Sequence, residues 1–428
     1  MSDDSDRKLT RRELLLGAAG ALGAAGAVPH LTSAEITGAE EALREGATTP
    51  AGAATQAQSP APADPTKVQG RPPNVLGERS PFEVPRRDPS LSSSRTPLQE
   101  LHGIITPSDL HFERHHAGVA VIDPDRYSLL IHGLVERPMV FTLAELRRFP
   151  STSRVHFLEC SGNFRTRAGP ETLAQMVCGL TSTSEWTGVP LSTVLREVGV
   201  RPEATWMLAE GQDGAVMGRS IPIEKAWDDA MLAYGQNGEA LRPEQGYPLR
   251  LFLPGWEGNS NVKWLRRLEL TDGPIMTKDE TARYTDPLKD GVVRQFSFTM
   301  DARSIITTPS YPDRIEPGWN EIRGIAWSGR GKISQVDISV DGGATWARAD
   351  LQQPVFSKAH TRFRYMWNWD GQHAEFMSRA VDETGYVQPT RAQLVEARGA
   401  QTSYHLNPIT GWVAESDGRV FYLEEPWG

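Results

Sequence analysis

The chain is 428 residues long and 39% hydrophobic, enough for two or three domains that each bury a core of their own. Its formal net charge of -9 excludes a protein built to hold nucleic acid, which needs a concentrated cationic surface. The two cysteines, Cys160 and Cys178, exclude a disulfide framework, a Cys-ligated iron–sulfur cluster and, with no CxxCH, attached haem c.

At the N-terminus, Thr10-Arg11-Arg12-Glu13-Leu14-Leu15-Leu16 leads into small apolar residues from Gly17 to Val28, with a cleavage-like Ala25-Gly26-Ala27. Residues 1–30 resemble a twin-arginine export signal. The apolar run of about 15 residues falls short of the roughly 20 needed to cross a bilayer, so cleavage is expected, with no membrane span after it. That route carries folded cargo, suits a cofactor inserted in the cytoplasm, and implies the periplasm. Residues 31–96, rich in Ala, Pro, Gly, Ser and Thr, read as a flexible linker or arm.

Residues 97–288 read as a mixed α+β domain. Tyr127 to Val135 is the first strand, and Thr142 with Glu145 offers a capping box for a short helix ending at Phe149-Pro150. Val155 to Glu159 reads as a strand that delivers Cys160 to the turn Cys160-Ser161-Gly162-Asn163. A helix over Leu191 to Val198 stops at Gly199, Thr205 to Ala209 is a strand, and Asn237-Gly238 marks a tight turn. Leu249 to Leu253 and Val262 to Leu270 add strands. From 289 to 400 the texture is strands and turns (Glu321 to Trp327, Ile333 to Val340, Arg362 to Trp369, Glu375 to Val381), which fits an immunoglobulin-like β-sandwich. Residues 401–428 read as a C-terminal extension.

Four segments carry the chemistry: Phe112-Glu113-Arg114-His115-His116, Phe157-Leu158-Glu159-Cys160-Ser161-Gly162-Asn163, Gly246-Tyr247-Pro248-Leu249-Arg250, and Gly258-Asn259-Ser260-Asn261-Val262-Lys263-Trp264-Leu265. In this order they resemble the molybdopterin domain of the sulfite oxidase family, over roughly Pro97 to Thr390. The resemblance implies one molybdenum-molybdopterin per chain, no haem in this chain, and a homodimer paired through the sandwich. Cys160 would be the thiolate ligand, a soft charged donor suited to a metal that already holds dithiolene sulfurs. Arg114 would offer a planar fork of donors to an oxyanion, and Tyr284 a hydrogen bond toward the metal-bound oxygen. Phe112, His116, Gln245, Arg250, Asn261, Val262 and Lys263 would line the pterin and its phosphate; Asp213 is the match to an acidic pterin contact. His115 is either a further cofactor contact or a solvated neighbour, and with His116 alone it would suggest a zinc site.

Three positions depart from the family pattern. Gln245 stands where many members have histidine, and Ser260 where vertebrate-type members have arginine. Lys332, in Trp327-Ser328-Gly329-Arg330-Gly331-Lys332, aligns with a second substrate-side arginine, and an ammonium does not replace a bidentate fork.

Leu101-His102-Gly103-Ile104-Ile105-Thr106-Pro107, Glu185-Trp186-Thr187-Gly188-Val189, Leu253-Pro254-Gly255-Trp256-Glu257-Gly258-Asn259 and Tyr404-His405 through Trp412 resemble one branch, the catalytic subunits of the Sox sulfur-oxidation system. That branch implies a dihaem cytochrome c subunit as electron acceptor and a sulfur-carrier protein as substrate bearer. The alternatives are a direct sulfite dehydrogenase, a sulfoxide reductase, and a non-catalytic binding protein.

Overall fold

Strand Thr152–Glu159 ends at Cys160, and the architecture around it is a pair of sheets followed by a β-sandwich. The structure, a computed structural model, describes residues 66–68, 70–164 and 168–424. The export-signal expectation and most of the linker lie outside them. The chain forms two compact units, Met1–Gly77 and Glu78–Gly428; the described residues of the first hold no helix or strand.

The first sheet runs Glu239–Ala240, Met231–Gln236, Thr181–Pro190, Thr152–Glu159, all antiparallel, with Arg250–Phe252 also paired to Met231–Gln236. The second runs Met139–Thr142, Ser128–Gly133, Leu265–Thr271, Trp206–Gly211, Gly218–Pro222, with its second and third strands parallel. Helix Leu191–Val198 packs Leu191, Val194, Leu195 and Val198 into the core of this part, one face at a spacing of three and four residues. It stops at Gly199, whose left-handed φ of 70° favours glycine at the helix end. Thr142 and Glu145 form the expected reciprocal cap.

The longest strand of the first sheet was not legible as one. Thr181-Ser182-Thr183-Ser184 has the composition of a loop, yet all four residues are fully buried. Their hydroxyls are each partnered: Ser182 Oγ by Thr96 (2.6 Å) and the Phe112 amide (3.1 Å), Thr181 by His360 (3.0 Å), Thr183 by the His360 amide (3.0 Å), Ser184 by Gln236 (2.9 Å). Satisfied hydroxyls make burial affordable, and they tie this strand to the Phe112 segment and to the sandwich.

The sandwich stacks Arg303–Thr308, Gly318–Trp327, Thr361–Trp369 and Asp350–Leu351 on a sheet of Ala347–Arg348, Ile333–Ser339, Ala374–Asp382, Thr410–Ala414 and Val420–Tyr422. Trp327, Phe363, Phe376 and Trp412 fill its centre, and the same apolar cluster continues to Leu98, Phe157 and Val177 of the preceding part. Two boundaries differ from the expected ones. Ser93–Arg95, placed in the arm, pairs with Glu113–Arg114, and the C-terminal extension supplies two strands of the sandwich, where Trp412 also bonds the Ile306 carbonyl (3.1 Å).

Candidate functional site

One cavity gathers residues from five separated stretches of chain. Phe112, Arg114, His115 and His116 line it from the segment at Glu113–Arg114, Cys160 from the tip of its strand, and Asp213 from the loop after Trp206–Gly211. Gln245, Arg250, Asn261, Val262 and Lys263 form another part of the wall, and Tyr284 lies beyond them in sequence. Met217, outside the segments singled out from the sequence, completes the lining with Glu113, Leu158, Gly258, Asn259 and Trp264, which lie within those segments but to which the sequence assigns no role of their own. Gly258 has a physical reason to be glycine: a Cβ there would sit 2.8 Å from the Glu159 carbonyl, closing the approach of this loop to Cys160.

Lys332 is not part of this lining. Its side chain is exposed and its amide bonds Glu383 (2.8 Å), while Arg330 is held by Asp301 (2.7 Å) at a separate surface cleft. Both lie on the turn between two sandwich strands, Gly318–Trp327 and Ile333–Ser339.

Two cations of the wall, the buried Arg250 and the half-buried Lys263, donate their hydrogen bonds to neutral groups. Arg250 is 1% exposed and donates to the carbonyls of Gln245 and Asn261 (both 3.0 Å), its Nε having no protein partner. Lys263 donates to the carbonyls of Arg114 (3.1 Å) and Glu244 (3.0 Å) and to His115 Nδ1 (2.9 Å). No carboxylate of the described residues pairs with either. Burial pushes Arg250 down to about 9, and burial together with Arg250 pushes Lys263 down to about 7 against the weaker pull of Glu113, Asp213 and Glu244. His115 is buried, not solvated, and passes its second nitrogen to Glu113 (2.7 Å).

Three expected contacts turn their polar atoms to the wall itself. Asp213 accepts from the Met217 amide (3.2 Å), Gln245 donates to the Phe112 carbonyl (2.8 Å), and Asn261 accepts from Leu253 (2.6 Å) while donating to Glu257 (2.9 Å). They shape the cavity by fixing its loops.

Around Cys160 the charges are paired. Glu159 is held by Arg303 (2.8 Å), Trp327 (2.6 Å) and Asn163 (3.0 Å). Arg219 bonds Glu257 (3.2 Å) and Glu280 (3.5 Å), and Glu257 also meets His405 (3.1 Å) and Asn259 (2.8 Å), which reaches Ser161 (3.0 Å). Burial raises the Cys160 thiol above its ordinary value, opposed by the Gly162 amide and then Arg114. Tyr284 is likewise pushed up by burial and stays protonated.

A family model described as an oxidoreductase molybdopterin binding domain matches residues 116–278, and one described as a Mo-co oxidoreductase dimerisation domain matches residues 294–411. The solved sulfane dehydrogenase SoxCD from Paracoccus pantotrophus is 45% identical, with a TM-score of 0.76, over 81% of this chain and 88% of that one. The chain belongs to the sulfite oxidase family of molybdopterin oxidoreductases. Curated relatives include an NADH nitrate reductase of Phaseolus vulgaris, 33% identical over 65% of this chain and 35% of that protein, and one of Arabidopsis thaliana, 32% identical over 70% and 38%. The chain thus spans little more than a third of the length of those reductases. The family's fold, a mixed α+β molybdopterin domain followed by a β-sandwich, is the one described above.

The wall fits the family's cofactor on its own terms. Arg250 and Lys263 have neutral carbonyls, an imidazole and the faces of Trp186 and Trp264 as partners but no ion pair, and a phosphate between them would offset both charges. Cys160 is the one thiol of the lining.

Proposed function

We propose that this chain is the molybdenum-bearing catalytic subunit of a periplasmic enzyme that oxidises reduced sulfur, and that its substrate is sulfane sulfur borne on a carrier protein. The observation that carries the reading is the convergence of Cys160, Arg114 and Tyr284 with the anion-hungry pair Arg250 and Lys263 on one cavity. The 45% identity to a sulfane dehydrogenase, against about a third to nitrate reductases, supports sulfur over nitrate. With Lys332 and Arg330 off the cavity, one substrate-side arginine replaces a clamp of two, which favours a bulky substrate over a small oxyanion.

Arg250 and Lys263 would hold the phosphate of molybdopterin, and Cys160 would ligate the molybdenum. When bound, that group supplies oxygen-atom transfer and the two-electron redox change. The chain's own residues do the rest. Arg114 orients the anionic sulfur group, Tyr284 donates a hydrogen bond to the oxygen that gains negative charge, and the packed lining excludes water from competing positions. Each oxygen delivered to sulfur comes from water and releases two protons and two electrons, which leave to a dihaem c-type cytochrome subunit. The sandwich pairs two copies into a homodimer.

The test is turnover of the loaded protein with carrier-borne persulfide, free sulfite and nitrate, with and without a dihaem cytochrome. Cytochrome reduction confined to the carrier-borne sulfur is expected. Turnover restricted to free sulfite would make the chain a direct sulfite dehydrogenase, and nitrate reduction would overturn the sulfur reading.

A further inference from the structure

His116 and Tyr284 are joined by a 2.6 Å contact between the imidazole Nε2 and the phenol oxygen, and Arg283 donates to the other ring nitrogen, Nδ1, at 2.9 Å. A guanidinium has donors only. Nδ1 must therefore be bare, and the neutral imidazole carries its proton on Nε2. Burial, with Arg114 and Arg283 nearby, keeps the ring neutral by lowering its pKa, against the weaker pull of Asp279 and Asp213. Nε2–H then donates to the Tyr284 oxygen, and the tyrosine's own proton is left for another acceptor. No carbonyl or carboxylate of the described residues takes it, and Tyr284 faces the same cavity as Cys160.

We infer that Arg283 is a positioning residue that fixes the His116 tautomer and thereby aims the Tyr284 hydroxyl proton into the cavity, toward the reacting oxygen. Were Nδ1 protonated instead, Nε2 would accept from Tyr284 and draw that proton away from the substrate. The device is cheap to alter. Arg283 is 38% exposed, and its other contact is a loose pairing with Asp279 (3.8 Å), so substitution there leaves the buried scaffold alone. The inference rests on the reading that Tyr284 donates during turnover.

The experiment compares Arg283→Lys, which keeps a donor-only partner, with Arg283→Glu, which is acceptor-only and favours Nδ1–H. Protein labelled with ¹⁵N-histidine reports the tautomer directly, with the His116 resonances assigned by their loss in His116→Gln. Expected are the Nε2–H tautomer in the wild type and in Arg283→Lys, and Nδ1–H in Arg283→Glu. With substrate, Arg283→Glu should lower kcat by roughly 100-fold, the scale of losing one hydrogen-bond donor to developing charge, with KM nearly unchanged. Arg283→Lys should keep kcat within about threefold, the remainder reflecting a less well-directed donor. An Nδ1–H tautomer in the wild type, or an inverted tautomer in Arg283→Glu with full kcat, overturns the inference. Tautomers that behave as expected in a protein with no sulfur turnover would uphold Arg283's control of the His116 tautomer and overturn the sulfur reading.

Discussion

Two sets of buried charge flank the cavity, and they follow opposite plans. Around the Cys160 loop, Arg219, Glu257, Glu280 and His405 close on one another, and Glu159 closes on Arg303. Burial opposes ionisation of Glu257, yet the His405 hydrogen bond and the Arg219 guanidinium bring it down to about 2. Arg250, equally buried, and Lys263, half-buried, donate only to neutral acceptors, stand over the Trp186 and Trp264 rings, and have their pKa values lowered by desolvation. The difference separates scaffold from site. A paired charge is a completed piece of structure, whereas an unpaired buried cation is a standing cost that only an incoming anion removes.

The largest expected effect is at the residue both sets surround. Cys160→Ser should abolish turnover, a loss of at least about 10³-fold on the scale of removing an essential group, with the circular dichroism spectrum and melting cooperativity retained. Arg219→Met breaks the paired set by removing the guanidinium that Glu257 and Glu280 share, and should destabilise the fold by about 3–5 kcal/mol in denaturant titration. The stability that Glu257 contributes is present above its ordinary value of 4.5 and is lost as pH falls toward about 2.

Lys263→Met should differ in protein purified without cofactor, changing stability by no more than about 1–2 kcal/mol, because relief of a desolvated cation is set against three lost hydrogen bonds. The pH signature differs in sign as well. The folded lysine titrates at about 7 against 10.5 when unfolded, so the unfolded chain binds more protons in between. Stability of the cofactor-free wild type should therefore climb as pH rises from about 7 toward 10, and Lys263→Met should lose most of that climb. A flat wild-type curve would show that Lys263 already has a counterion in the protein. Smallest of all, Lys332→Ala should change kcat/KM by less than about twofold, since an exposed side chain off the cavity contributes little to it.

What was legible in the sequence follows the same division. The unpaired set and its neighbours sit in short linear segments with unusual residues in a fixed order, so Phe112 through His116, Cys160, Arg250 and Asn261 through Lys263 could be picked out before any fold was known. The paired set could not. Arg219 finds Glu257 across 38 residues and His405 finds it across 148, and an isolated Arg, Glu or His carries no mark of such a partner. Arg87, from a stretch read as an arm, meets Glu113 at 3.3 Å for the same reason. Strand Thr181–Pro190 was hidden because hydrophobic period is the usual signal and hydroxyl pairing leaves none. Lys332 shows the converse limit: a loop can align with a substrate-side position and still contribute no residue to the lining of the cavity.

The most direct test of the distinction between scaffold and site is the molybdenum and pterin content per chain of wild type and Lys263→Met, each purified from a host that makes the cofactor. The account predicts close to one of each in the wild type and a marked loss in Lys263→Met despite its undiminished fold. A Lys263→Met protein that retains the full complement, or a wild type that carries none, would contradict it.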